Sequence, residues 1–188
     1  MNMLKLGIAL VTLGAATLTA SAAEQALSVD KANSRVDIAV KATVDSFVAK
    51  LTDYAPSIQL NSELGTVTAA KISFHFADIR TGNEKRDHEM NVWQETDKFP
   101  DGNFTLGKLT MDSAHKVSAH GSLVLHGVTH ELQFPVTLSR SGSGMTVDGE
   151  AELDTRWFGL PVIRKFGLLK VDPIVVVRFH LTGAIAAP

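Results

Sequence analysis

The chain has 188 residues, 18 basic against 20 acidic side chains, 45 % hydrophobic residues and no cysteine. That length supports one domain with a real core, and the absence of any basic run excludes nucleic acid as a partner. Without cysteine, neither a disulfide nor a lipid-modified cysteine can form.

The first residues carry a targeting pattern. Lys5 gives a short positive start, Leu6 to Leu18 is apolar and Ala-rich, and Ala20, Ala22 and Ala23 offer small residues for cleavage. This predicts a secretory signal peptide over residues 1–23, too short for a stable membrane span. Its removal takes away Lys5 alone and leaves 17 basic against 20 acidic residues, a net of −3. An exported chain without disulfides suits a bacterial periplasm. Residues 24–188 are expected to form one domain.

Arg35 to Asp45 alternates strictly, with Val36, Ile38, Val40, Ala42 and Val44 on one face and mostly charged residues on the other. Period two is the pattern of a half-buried strand. Phe47, Ala49 and Leu51 are expected to continue it past a bend near Ser46. Ile58 and Leu60 form a weaker strand after Tyr54-Ala55-Pro56, and Val67 to Ile79 a further one, with Ile72, Phe74 and Phe76 inward. The period then changes. Thr81-Gly82-Asn83 supplies capping residues, and Glu84 to Gln94 reads as the one helix, with Met90 and Trp93 three apart on a shared face.

Strands resume at Phe104 to Met111, with a bulge expected at Gly107. His120 to Leu138 is a hairpin: Leu123 and Leu125 share a face with Leu132, Phe134, Val136 and Leu138, while His120, Ser122, Glu131 and Gln133 face away. Gly127 marks the turn, where positive φ is needed. Pro135 cannot donate a ladder hydrogen bond and so signals an edge, bulge or bend. Arg140 to Gly144 reads as a flexible loop, and Met145 to Thr155 as a strand. Trp157 to Leu169 is apolar without period two and is expected to be a folded-over loop. Ile174 to Gly183 closes the chain with Val175, Val177, Phe179 and Leu181 inward. About eight long, one-sided, sequential strands predict an all-β fold, an eight-stranded antiparallel barrel with one short helix, since closure removes aggregation-prone edges.

At this point the residues resemble a known family. GSLVLHGVTHELQFPV resembles the hairpin signature of the YceI-like, polyisoprenoid-binding proteins. TGNEKRDHEMNVWQETDKFPDGNF is similar to that family's T-G-N…R-D motif followed by K-[YF]-P, and RWFGL resembles its R-x-x-F-G loop. The resemblance runs from about Leu27 to Gly183. It implies a lipocalin-like barrel, export to the periplasm, and an apolar pocket for a polyisoprenoid or other long-chain lipid, held without catalysis. A homodimer and a passing contact with a membrane are compatible with that role. The family's His two residues after R-D falls on Glu89, with His88 one place early, and its aromatic pair is reduced to Trp93; both bear on the ligand head.

On that resemblance the inward faces become a candidate lipid pocket: Val40, Phe74, Phe76, Met90, Trp93, Phe104, Leu123, Leu125, Leu132, Phe134, Trp157, Phe158, Val177 and Phe179. From composition alone the preferred reading is that these side chains simply fill a dry barrel, and it is the resemblance that reverses it. Arg86, Asp87 and Arg156 are candidates to hold a ligand head, or, for the first two, to brace the helix. Neither a phosphate loop nor a nucleophile elbow is present, so no cofactor is expected. The pairs His120/Ser122 and His126/Thr129 leave open an enzyme acting on a lipid or small ester. The histidines are expected on the outer wall rather than around a metal, because the turn at Gly127 keeps His126 and His130 off one helical face.

Overall fold

The computed structural model describes residues 24–61, 64–165 and 167–185; the expected signal peptide lies outside them. The strands are β1 (Glu24–Val29), β2 (Arg35–Ala42), β3 (Phe47–Leu51), β4 (Ala55–Asn61), β5 (Thr66–His75), β6 (Ile79–Arg80), β7 (Asp101–Met111), β8 (Val117–Leu125), β9 (Val128–Ser141), β10 (Gly144–Asp154), β11 (Arg164–Lys165) and β12 (Leu169–Ile185), with one helix, α1 (Glu84–Trp93).

Eleven ladders make an eight-stave antiparallel barrel because three staves are interrupted, and β11 pairs β12 outside it. β1 and β2 both lie on β12, with Ser28 opposite Ala184 and Ile38 opposite Val177. The break between them is a turn in which the Asp30 carboxylate accepts the Ala32 and Asn33 N–H groups. β3 and β4 continue the second stave against β2 and β1, and β5 and β6 the third. β7, β8, β9, β10 and β12 then follow as a meander. β12 meets the first stave and closes the ring.

Several local expectations hold in detail. The register between β7 and β8 slips at Gly107, the bulge position. His126 and Gly127 form the two-residue β8–β9 turn, with φ of 49° and 71°. Pro135 pairs with Ser118 of β8, and β10 joins β9 only from Val136 onward, so the proline stands at a local edge. Three expectations are corrected. Val67 to Ile79 is not one strand, because a 3₁₀ turn at Phe76–Asp78 divides it into β5 and β6. Phe47 to Leu51 does not extend β2; it turns back and pairs with it, Lys50 opposite Asp37, because the chain reverses over 43–46. Arg140 to Gly144 is a tight two-residue hairpin turn rather than a flexible loop, since β9 and β10 pair up to Ser141 and Gly144.

The two ends of the barrel differ. At one, Leu27, Leu60, Met145 and Leu181 are buried together and form a plug of close-packed side chains. At the other, α1 and residues from the stretch 155–165 border the cavity that opens between the strands. Thr155–Phe158 is a 3₁₀ turn capped by Asp154, and it ends at Gly159, whose φ of 74° reverses the chain.

Candidate functional site: an apolar cavity with a bridged mouth

The lumen between the two ends is a cavity of about 1170 Å³. Its wall follows from the strand alternation: Val36, Ile38, Val40, Ile72, Leu106, Leu132, Phe134, Val136, Val175 and Val177 all face it. An eight-stranded barrel is just wide enough for its own side chains to fill or for one ligand to occupy. Which of these happens depends on side-chain volume, and here two features keep the lumen open. Alanines stand at inward positions 42, 49, 70, 119 and 151. In addition, three phenylalanines lie flat on glycines of the wall. A Cβ added to Gly102 would fall 2.2 Å from the Phe74 ring, one on Gly121 2.7 Å from Phe104, and one on Gly149 2.3 Å from Phe179. The missing side chains let the rings rest on backbone instead of projecting into the space.

The mouth is framed by α1, the turn at 43–46 and residues 160–165 and 169–173. Asn83 caps α1, its side-chain oxygen accepting the Arg86 N–H at 3.1 Å. Asp87 is buried and accepts both the N–H and the hydroxyl of Thr81, at 2.8 and 2.6 Å, which fixes how the helix leaves β6. Met90 and Trp93 then face the cavity. Three contacts hold this end together. The Trp93 indole N–H donates to the Pro161 carbonyl at 2.8 Å. Lys165 Nζ meets Glu89 Oε2 at 2.6 Å, joining helix to loop. Arg86 lies over the Phe47 ring at 4.1 Å and pairs with Asp45 at 3.1 Å, joining helix to the β2–β3 turn. The hydrogen-bonded Lys165 ammonium holds the Glu89 carboxyl below its ordinary value.

The expected pocket residues are placed as follows. Val40, Phe74, Phe76, Met90, Trp93, Phe104, Leu123, Leu125, Leu132, Phe134, Val177 and Phe179 line the cavity, as does Arg86 at its rim. Trp157, Phe158, Asp87 and Arg156 do not. Phe158 is fully buried in the wall against Leu123 and Leu160, because the 3₁₀ turn aims it into the strand ends. Trp157 points the other way, 43 % exposed, and stacks on His130 with ring centroids 4.2 Å apart. Asp87 is spent on Thr81. Arg156 forms a fork onto Asp154, Nε to both carboxylate oxygens at 2.9 and 3.1 Å, and holds that carboxyl below its ordinary value. The ion pairs of Glu89 and Arg86 and the lining by 160–165 were not visible in the sequence. Glu89 and Lys165 lie in separate motif stretches, and nothing local marks them as partners.

His120 and His126 each bond a residue other than the partner the sequence pairs suggested. His120 faces outward and bonds Thr110 Oγ1 at 2.9 Å. His126 departs from the outer-wall expectation: its Nδ1–H donates to the Phe158 carbonyl at 2.9 Å, pinning the hairpin to the 3₁₀ turn. Phe99 meets its ring edge-on at 4.3 Å. Among the described residues, no three His, Asp or Glu side chains come together as a metal set.

A closed eight-stave antiparallel barrel with an apolar lumen and one bridged mouth is lipocalin-like in architecture. The chain belongs to the YceI-like domain family, which it matches over residues 27–183. Its fold is similar to Burkholderia cenocepacia BcnA, with a TM-score of 0.72 at 17 % identity, covering 83 % of this chain and 99 % of that one. It is also similar to a polyisoprenoid binding domain from Saccharophagus degradans, with a TM-score of 0.65 at 16 % identity over 88 % of this chain and 100 % of that one. The Campylobacter jejuni YceI protein gives a TM-score of 0.66 at 14 % identity, over 77 % and 88 % of the two chains. No curated protein matches the chain.

Proposed function

We propose that this protein is an exported, periplasmic carrier that holds one long apolar lipid chain, of polyisoprenoid type, lengthwise in the barrel and performs no chemistry on it. The observation that carries this is the lumen: about 1170 Å³, walled almost wholly by aliphatic and aromatic side chains and open at one end. Pockets for drug-sized molecules span roughly 300–1,000 Å³, so this one suits a longer guest. Each buried CH₂ contributes about 0.8 kcal/mol before the costs of ordering the chain, so affinity grows with tail length. The domain family supports the reading, as does the printed description of the Saccharophagus neighbour as a polyisoprenoid binding domain. The export pattern over 1–23 supports the periplasmic location.

Native mass spectrometry of protein taken from its own periplasm tests it. The expected result is a mature chain beginning at Ala23 or Glu24, carrying one lipid, with Leu132→Trp carrying a shorter lipid or none. An empty wild-type protein that neither retains nor takes up polyisoprenoids would sink the reading. So would turnover of the bound lipid.

A further inference from the structure

The rim of the mouth, where Val44 and Arg164 also border the cavity, has a chemistry that the lumen alone does not explain. Nine large hydrophobic residues are exposed on the described surface, and two of the most exposed, Val44 at 72 % and Leu168 at 80 %, stand on the two turns that flank the mouth. These turns are stitched together. The Thr43 hydroxyl donates to the Leu168 carbonyl at 2.8 Å, and the Thr43 N–H donates to the Lys170 carbonyl at 3.0 Å. The aliphatic tips are therefore held in place rather than free to fold back.

Beside them lies a second anomaly. Arg164 on β11 and Lys170 on β12 are directly opposite in the ladder. Like charges at opposed positions repel, and both are exposed with no ion-pair partner among the described residues. Over the mouth segments 43–46, α1, 160–165 and 169–173 there are five basic and five acidic residues, of which Asp87 is buried and Asp45 and Glu89 are paired. The rest of 24–188 holds twelve basic and fifteen acidic residues. The mouth is thus neutral on an otherwise negative body, and Arg164 and Lys170 stand on it without an acidic partner among the described residues.

We propose that this end docks on a membrane surface containing anionic phospholipid. Val44 and Leu168 enter the headgroup–acyl boundary, and Arg164 and Lys170 share lipid phosphates. A phosphate between the two cations relieves their repulsion, and the apolar tips supply contact that charge alone does not. The cavity then opens toward the bilayer, the phase from which a lipid chain is drawn. This deepens the carrier reading and takes its purpose from it, but its test is separate.

The test is co-sedimentation of the mature protein with vesicles of phosphatidylcholine alone or with about a third phosphatidylglycerol. The expected result is binding to the anionic vesicles only, weakening as salt rises. Val44→Asp with Leu168→Asp, and separately Arg164→Gln with Lys170→Gln, should each weaken it by about tenfold or more, since each cation near such a surface is worth about 1 kcal/mol. Met111→Asp, an exposed hydrophobic at the other end, should leave it unchanged. Circular dichroism checks that the exposed substitutions leave the barrel folded, as expected for side chains at the surface. No binding to anionic vesicles, or equal loss in Met111→Asp, overturns the proposal. Binding only to native membranes that retain their proteins also overturns it, since the surface would then recognise a protein. Lipid retained in the lumen alongside failed docking leaves the carrier reading standing; an empty lumen with intact docking does the reverse.

Discussion

The two ends of the barrel are built from the same strands by opposite choices. At the plugged end the side chains are large and mutually packed: Leu60 is 1 % exposed and Met145 2 %. Along the lumen the same alternation places alanines and rings laid back on glycine, and the space between stays open. Inward-facing apolar residues therefore do not by themselves make a core. What decides is whether their volumes sum to the interior, and here they do so at one end only.

The largest expected effect breaks the comparison at the plug. Leu60→Ala should cost about 2–5 kcal/mol in denaturant unfolding, because a cavity opens among side chains that cannot collapse into it. Val177→Ala, facing the lumen, should cost about 1 kcal/mol or less in the lipid-free protein, since that surface already borders open space. Equal costs at the two positions would mean that the lumen is packed after all.

Gly149→Val sharpens the contrast from the wall side. Its new carbons would meet the Phe179 ring, which must swing into the lumen. Strain of about 1–3 kcal/mol is expected, together with loss of lipid uptake followed by fluorescence of a polyene probe. Restored uptake in Gly149→Val with Phe179→Ala would confirm the ring as the obstacle.

A smaller effect belongs to the mouth. Glu89→Gln or Lys165→Gln removes the ion pair between α1 and the loop and leaves, among the described residues, only the Trp93–Pro161 hydrogen bond between them, so lipid exchange should quicken severalfold while melting barely moves, exposed pairs contributing little stability. Exchanging the two residues, Glu89→Lys with Lys165→Glu, should restore the slow rate. The pH dependence has a defined sign. The Glu89 carboxyl is held below its usual 4.5 by Lys165, so the link is complete above 4.5 and is lost as pH falls through the lowered value. Exchange should be flat from neutrality to 4.5 and rise only beneath it, and Glu89→Gln should abolish that rise.

The smallest effect is at Trp157. Its indole stacks on His130 outside the lumen, so Trp157→Ala should lose about 0.5–1.5 kcal/mol of stability and no bound lipid. Depletion of lipid in this variant would return Trp157 to the pocket.

How much of this was legible depended on the range of the signal. The inward faces of β2, β8, β9 and β12 followed from period two, and the helix from its capping run and the change of period. Phe158 and Trp157 were misplaced because sequence shows that a stretch leaves the strand pattern, not which way a 3₁₀ turn aims its two rings. Asp87 could be read as ligand-facing or as a brace and Arg156 as ligand-facing, and the partners the structure gives them, Thr81 and Asp154, are marked as pairs by no sequence motif.

The sequence by itself determined the strand faces, the β8–β9 turn, the helix and the family motifs, because each is written within a few residues by backbone geometry and side-chain alternation. Tertiary structure alone decided that the lumen is open, that Glu89 meets Lys165, and that Arg164 stands against Lys170 beside two aliphatic tips. Those facts depend on barrel closure, register and summed volume, which join residues far apart in the chain and leave no trace in any one stretch of it.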